Sequence, residues 1–322
     1  MNVAASFNKK YVNYAIVMLT SFCESNPGHN DIFIMHSELE KEDIDKLSAA
    51  LQKYGADIFP IDVSKEISNL NLPVSEDWSP EIYYRLLLPD KLPGHVDRIF
   101  YLDVDVIVHG SLQDLYEEDF EGADLRACHD SNNTSTLDDF SDKTKEMLLP
   151  LYGEEFPYFN SGVLLINIAQ MRGKYTFQTY LDAMEKWDYK MDAPDQDILN
   201  YIHHDKVKYM NWEEYDLFAR MAYSAGWRYE EVKEKNKIIH FAGAKPWNFD
   251  NTHYEIERFW WEYAALTPVY RDLMENFIEY ALTNTYLEDE AIRLCNENKE
   301  FAKAITDLYD ALSKLQASTK GN

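Results

Sequence analysis

The chain is poor in cysteine: Cys23, Cys128 and Cys295 are the only three, odd in number and far apart. No C-x-x-C occurs, so neither a disulfide framework nor a structural zinc site is indicated, and a reducing, cytoplasmic compartment is the simplest expectation. Glycine is scarce too, at 11 residues, and no two glycines are separated by a single residue. That excludes a G-x-G-x-x-G dinucleotide fingerprint. No glycine pair has P-loop spacing followed by Gly-Lys, and none has the G-x-S-x-G spacing of a hydrolase elbow. No two histidines lie four apart, so H-E-x-x-H is absent. Any nucleotide bound here is held by something other than a glycine-rich loop.

Positive charge is short as well: Lys and Arg total 31 against 57 Asp and Glu, a net charge of −26. Phosphate backbones need a basic stripe and anionic membranes a basic patch, so nucleic acid and electrostatic membrane docking are both disfavoured. Long hydrophobic runs are missing. The N-terminal run Ala15–Leu19 has five residues, too few for a signal-peptide core. The longest uncharged apolar stretch, 156–171, has 16 residues including two Asn, a Ser and a Gln, and does not comfortably cross a bilayer core of ~30 Å. What the chain does have is 46% hydrophobic and 14% aromatic residues, ample for a core. Its 322 residues are about twice a usual domain of ~150, which suits one large α/β domain with an appendage.

Periodicity supplies the order of elements. A short strand at Asn2–Ser6 precedes a helix at Tyr11–Ser25, whose apolar residues Tyr11, Tyr14, Ala15, Met18, Leu19 and Phe22 recur at helical spacing until Pro27 and Gly28 end it. Strand Asp31–Met35, helix Glu40–Tyr54 and strand Ala56–Val63 follow. This β-α-β-α-β alternation argues for a parallel sheet with helices on both faces. A helix at Ile82–Leu88 closes at Pro89, and Arg98–Val108 (RIFYLDVDVIV) is the strongest strand signal. Further strands are expected at Leu125–Cys128, Tyr158–Ile168 and Lys237–Ala242, and helices at Gln170–Trp187 and Asp195–His203. From about Tyr254 only helical periodicity remains, so the boundary falls near 252: a domain over 1–252 and a helical appendage over 253–322.

Four motifs carry polar chemistry. Asp103 and Asp105 are two apart at the end of an apolar strand, where i and i+2 share a face. Two adjacent carboxylates repel unless a cation sits between them, and hard oxygen ligands suit Mg²⁺ or Mn²⁺; strand-end acids also simply cap turns. His240 ends the apolar strand of IIHFAGAKPW, at what in a parallel sheet would be the ligand-binding carboxyl edge. A His beside two carboxylates suits Mn²⁺ better than Mg²⁺, although a lone strand-end His is also an ordinary hydrogen-bonded residue. Behind it, Gly243 permits close backbone approach and Lys245 offers a cation for phosphate. Asn160 in YFNSGVLLIN reads as a pocket wall or as plain turn chemistry. In PDQDILN, Asp195 reads as an N-cap and Asp197 as a helix-dipole partner, which leaves Gln196 without a structural explanation.

Taken together, YLDVDVIV, YFNSGVLLIN, DQDILN and HFAGAKPW, in this order and spacing, resemble glycosyltransferase family 8, the retaining nucleotide-sugar transferases of GT-A fold. SPEIYYRLLLP resembles the family's segment before its D-x-D, and the likeness covers about residues 1–250. The flavour is that of the bacterial lipopolysaccharide galactosyl- and glucosyltransferases. The resemblance implies an α/β, Rossmann-like nucleotide-sugar-binding sheet flanked by helices, with a C-terminal helical appendage. It implies a hexosyltransferase moving glucose or galactose from a UDP-sugar to a saccharide or glycoconjugate acceptor, dependent on Mn²⁺ with Mg²⁺ as substitute. By the same resemblance Asp103, Asp105 and His240 hold the metal, and Asp103 also reaches the sugar. Gly243 and Lys245 contact the diphosphate. Arg85, Asn160 and Asp130 line the sugar sites, Asp195 binds the donor's hydroxyls, and Gln196 lies near the anomeric carbon. Where the family's first strand ends in an Asp that pairs with uracil, this sequence has Asn8, whose carbonyl can still accept from the uracil N3–H. The Gly243–Lys245 loop is one residue shorter than in many relatives.

Two other classes compete. Haloacid-dehalogenase-like phosphatases also place D-x-D after an apolar strand, with Asp138 and Asp139 as a late acidic pair, but their motif strand usually comes first in the chain. A non-catalytic nucleotide-sugar-binding protein is the third reading. In the tail, Ile305, Leu308, Tyr309, Leu312 and Leu315 share one helix face. Acidity excludes a basic membrane anchor there, so this face is expected to pack on the catalytic domain or on another subunit, a homo-oligomer.

Overall fold

The computed structural model describes the chain apart from residues 69, 71, 75–78, 249–252, 284–285 and 320–322 and the side chains at 154, 281, 283, 286–290 and 310–319. Ten strands are described: β1 Asn2–Ser6, β2 Asn30–His36, β3 Ala56–Asp62, β4 Ile99–Leu102, β5 Val106–Val108, β6 Leu125–His129, β7 Phe159–Ile166, β8 Val207–Tyr209, β9 Leu217–Phe218 and β10 Ile238–His240. Seven form one sheet in the order β3-β2-β1-β4-β7-β6-β8, and β5-β10-β9 form a second, smaller sheet.

The expected β-α-β-α-β start is present. β1 pairs parallel with β2 and β4, and β2 with β3. Helix Val12–Ser25 buries Ala15, Ile16, Met18, Leu19 and Phe22, and helix Lys41–Leu51 begins with a reciprocal capping box between Glu40 and Asp43. The chain walks outward from β1 to β3 and then returns to β1's other side as β4. Strand order therefore reverses between β1 and β4, and ligands of open α/β sheets bind beyond the carboxyl ends at such a reversal. All eight residues of β7 are buried, as expected of a central strand covered on both faces.

Several expectations are corrected. The sheet is mixed: β7 runs antiparallel to β4 and β6. Arg98–Val108 is not one strand. β4 belongs to the large sheet and β5 to the small one, and Asp103–Asp105 form the link between them, so the two acids do not share a strand face. His240 does not end a strand parallel to the Asp strand; β10 runs antiparallel to β5, with His240 opposite Val106. Pro80–Leu87 is a 3-10 helix running into a short α-helix, Leu88–Lys91, that contains Pro89. The expected helix Gln170–Trp187 is two helices, Ile168–Met171 and Phe177–Lys186.

The chain separates into two compact units, the first made of Met1–Pro246 with His253–Arg271 and the second holding the segment from Asp272. Residues 253–271, placed with the appendage from the sequence, therefore belong to the first unit. Ile256, Phe259 and Trp260 are fully buried, Phe259 against His109 at 4.7 Å and Trp260 against Tyr14 at 6.3 Å between ring centroids. Each such burial contributes ~1.5–3 kcal/mol. The second unit contains helices Tyr270–Thr283, shared at its first residues, and Tyr286–Thr319. Its Ile305, Leu308 and Tyr309 side chains are exposed in the single chain. Leu312 and Leu315 lie outside the described side chains. Among the described residues no helix is long and apolar enough to cross a membrane.

Candidate active site

A cleft of about 420 Å³ opens at the carboxyl ends of β1 and β4. Asn8, Arg85, Asp103, Asp105, Asp130, Asn160, Asp195, Gln196, His240, Gly243 and Lys245 all line it, so every site residue expected from the sequence is in one place.

The link between the sheets aims the acids. Asp103 follows β4 directly; its N–H donates to the Gly162 carbonyl at 2.8 Å, tying it to β7. Its Oδ1 accepts from Arg85 Nη2 at 2.9 Å and from the Tyr101 hydroxyl at 3.0 Å. Asp105 precedes β5, and its carbonyl accepts from Phe241 N–H at 2.9 Å, which fixes it beside β10. His240 ends β10, with Nε2 3.4 Å from Asp105 Oδ1. Ligand atoms of Asp103, Asp105 and His240 all lie within 4.8 Å of one another.

This donor set fits a divalent cation. Two carboxylates and an imidazole are hard-to-intermediate ligands suited to Mn²⁺ and also to Mg²⁺. Asp105 Oδ1 is buried without a hydrogen-bond partner, which leaves an acceptor to be satisfied. Gly162 forms a cradle: a Cβ there would stand 2.7 Å from His240 Cε1, 2.8 Å from Asp103 Oδ2 and 3.0 Å from Asn160 Oδ1. Only glycine lets these three side chains converge.

Charge at the site is balanced by burial and pairing. Burial would raise the Asp105 carboxyl, but the Lys245 ammonium and His240 outweigh it and hold the group far below the usual carboxylate range. Burial would lower His240, but Asp105 and Asp216 on either side raise it to about 10. Lys245 Nζ pairs with Asp105 Oδ2 and donates to the Phe241 carbonyl at 3.1 Å. Gly243, at φ +80°, provides the left-handed turn that brings Lys245 back over β10.

The opposite wall is built on Arg85. This buried guanidinium binds Asp103, donates through Nη1 to the Ser161 carbonyl at 2.6 Å, and places Nε 3.1 Å from Asp195 Oδ2; it also stacks over Tyr101 at 4.3 Å. Asp195 is not the N-cap it resembles. Ala193 holds that position, and Asp195 is buried in the first helical turn with its carboxyl raised by burial. Asp197 does the helix-closing: its Oδ2 accepts from the N–H groups of Asp192 and Ala193, and burial pushes it up to about 6. Gln196 Oε1 accepts from Ser161 N–H at 2.8 Å and Asn160 Nδ2 at 3.2 Å. Asn160 also donates to Asp130 Oδ1 at 3.0 Å.

Asn8 lies two residues beyond the end of β1. Its Oδ1 accepts from Lys10 N–H at 3.1 Å, capping the turn Lys9–Tyr11, and its Nδ2 faces Glu81 at 3.4 Å. The carbonyl expected to face uracil is thus already engaged locally. Tyr11, expected on the apolar face of a helix, belongs to that turn and lies on the cleft rim, 38% exposed.

Three supporting residues escaped sequence reasoning. Asp216, fully buried, accepts from His240 Nδ1 at 2.8 Å, which orients the ring so that Nε2 is the nitrogen turned toward Asp105. Asn132 binds both backbone groups of Phe218, accepting from its N–H at 2.7 Å and donating to its carbonyl at 3.2 Å. It does so from a left-handed run, Ser131, Asn132 and Asn133 at φ 52°, 53° and 58°, directly after Asp130. Ser161 joins Arg85, Asp195 and Gln196. The run Asp130–Asn133 (DSNN) was the one available signal, since Asn and Ser tolerate such turns.

Residues 2–251 match the family described as Glycosyl transferase family 8. A lipopolysaccharide 1,2-glucosyltransferase of Escherichia coli is 30% identical over 257 residues, covering 77% of this chain and 73% of that protein. A Haemophilus influenzae protein assigned as a glycosyltransferase is 29% identical over 211 residues, covering 66% of this chain and 62% of its own length, so the match spans less than two thirds of that relative. Among solved structures, an active-site mutant of LgtC aligns with a TM-score of 0.68 at 26% identity, covering 83% of this chain and 96% of that one. The fold is accordingly the GT-A fold, and the family match sets the phosphatase alternative aside.

Proposed function

Because the chain belongs to glycosyltransferase family 8, we propose that it is a retaining hexosyltransferase. It moves glucose or galactose from a UDP-sugar to a saccharide or glycoconjugate acceptor, with Mn²⁺ as the cation at Asp103, Asp105 and His240. The observation that carries this reading is the convergence of those three ligands with Arg85, Asp195 and Gln196 around one cleft. The E. coli relative is a lipopolysaccharide glucosyltransferase, which favours a cell-surface glycan as acceptor.

Asp103, Asp105 and His240 would hold the cation, which would supply positive charge to stabilise the leaving group. The chain's own residues supply the rest. Lys245, held by Asp105 and the Phe241 carbonyl, sets a second positive charge at the leaving diphosphate. A preorganised donor of this kind is worth ~10²–10³ in rate. The buried Arg85 fixes Asp103 and Asp195 at once, so both carboxylates meet the sugar's hydroxyls at defined places. Asn160 and Asp130 bound the sugar from the side of β6 and β7. Gln196, anchored through its carbonyl, lines the cleft beside the donor's sugar.

Chemically, the C1–O bond to UDP breaks, the acceptor oxygen bonds C1 on the same face, and the acceptor's proton passes to the departing phosphate. Gln196 is a neutral amide, a poor nucleophile, which favours this same-face displacement over a covalent intermediate on that residue. The deciding experiment is a screen of UDP-sugars with and without Mn²⁺, read as UDP release and protection against thermal unfolding. Metal-dependent release from UDP-glucose or UDP-galactose is expected. Tight metal-dependent binding without turnover for any acceptor tried would instead support a non-catalytic nucleotide-sugar-binding protein.

A further inference from the structure

The long helix Tyr286–Thr319 spans 34 residues, about 50 Å at 1.5 Å per residue. One set of its apolar positions repeats every seven residues, with Ile292 and Tyr309 outside it. Leu294, Phe301, Ile305, Leu308, Leu312 and Leu315 are spaced 7, 4, 3, 4 and 3, and Asn298 fills the one interruption. This is a strict heptad, with Asn298, Ile305 and Leu312 at a and Leu294, Phe301, Leu308 and Leu315 at d. A period of 3.5 keeps the seam on one side of a supercoiled helix, whereas a face packed on a straight neighbour drifts. Outer positions are polar or charged: Lys299, Glu300, Lys303, Thr306, Asp307. The seam is uncovered where its side chains are described: Leu294 is 47%, Phe301 68%, Ile305 55% and Leu308 62% exposed. An isolated helix carrying such a stripe is marginal in water and calls for a partner.

We propose that the occupant is a second copy of this chain, joined in a parallel, in-register, two-stranded coiled coil. The buried-position Asn decides between partners. In a parallel register Asn298 meets Asn298 of the second copy and the two amides satisfy each other. In any offset or antiparallel pairing, each faces an apolar side chain and goes unpaired. Ile305 at a with Leu308 at d favours two strands over three or four. Ala302 and Ala304, at the flanking e and g positions, let the helices approach. A lipid surface fits poorly, because the helix carries seven acidic and four basic residues and lacks a basic polar face.

The test uses the full-length chain. Light scattering at micromolar concentration should give twice the 37.8 kDa chain mass. The double variant Ile305→Asp, Leu308→Asp should give the single-chain mass, with helical circular dichroism reduced as the freed helix frays and donor turnover unchanged, since neither residue is among those lining the cleft. Register is read in a Cys295→Ser background. Leu308→Cys should form an interchain disulfide on mild oxidation, and Lys303→Cys, on the outer face, should not. A wild-type chain that stays monomeric overturns the proposal, as does cross-linking through Lys303→Cys but not Leu308→Cys. Monomeric protein that sediments with phosphatidylglycerol vesicles would assign the stripe to lipid instead.

Discussion

Gly162 and His240 touch in a way that only glycine permits: a Cβ at 162 would stand 2.7 Å from the imidazole Cε1. Gly162 is the residue on which the two sheets' contributions meet, since Asp103 arrives from β4 and His240 from β10. Gly162→Ala should push at least one of them aside, at an overpacking cost of ~1–3 kcal/mol. The expected result is a loss of Mn²⁺-dependent UDP binding by tenfold or more in calorimetry, with the secondary structure retained. Wild-type affinity in that variant would contradict the assignment of the cradle.

Asp105 tests the metal directly. Asp105→Ala should abolish Mn²⁺-dependent UDP binding and leave Lys245 without its carboxylate partner. Undiminished calorimetric binding of UDP with Mn²⁺ would sink the ligand set proposed here.

Asp216 acts through His240. Its carboxylate receives the Nδ1 proton at 2.8 Å, and in Asp216→Asn the amide can present its NH₂ there and shift the proton to Nε2. Outer partners of this kind are typically worth 10–100-fold in metal affinity. Titration of Mn²⁺ into wild type and variant measures it; equal affinities would leave Asp216 a purely structural acid.

Gln196 has two separable functions. Its Oε1 holds Ser161 N–H, and its side chain lines the cleft. Gln196→Ala should lower kcat and also lower the melting temperature, because Ser161 N–H loses its partner at ~1–3 kcal/mol. Gln196→Glu keeps the acceptor and should restore the melting temperature while kcat stays low. A raised donor KM with unchanged kcat in both variants would place Gln196 in ground-state binding only.

Asp124 should contribute to the acid sensitivity of the fold. Burial would raise this carboxyl, but hydrogen bonds from His203, Tyr175 and Gln170 lower it from 3.8 to about 2. A depressed carboxylate contributes stability that is fully present above the unfolded value and fades as pH falls through the folded one. The contribution is therefore complete above about pH 5 and declines toward pH 2. Asp124→Asn should lower the urea midpoint at pH 7 and flatten its fall between pH 5 and 2. A variant with the wild-type slope there would point to other carboxylates.

Much of the fold was legible because it is written locally. The alternation from Asn2 to Val63 reads out in period-2 and period-3.6 windows, and the observed β1–β3 with their two helices follow it. Arg98–Val108 read as one strand for the same reason: apolar residues flank Asp103–Asp105 on both sides, and nothing local says that they serve different sheets. Asp195 resembled an N-cap because acid-before-helix is a common local pattern. The ion pair with Arg85 that claims it lies far off in sequence.

The sequence by itself determined the order of elements, the exclusion of glycine-loop nucleotide binding, the acidic surface and the identity of the cleft's acids, amides and cations. These depend on side-chain chemistry and short-range spacing, which a chain carries before it folds. Tertiary structure alone decided the geometry among them. The antiparallel approach of β10 to β5 brings Lys245 onto Asp105 across 140 positions of sequence. The buried Asp216 behind His240 and the grip of Asn132 on Phe218 exist only once the small sheet has formed. The physical reason is that burial strips water from these groups, and which partner replaces it is fixed by long-range packing rather than by neighbours in sequence.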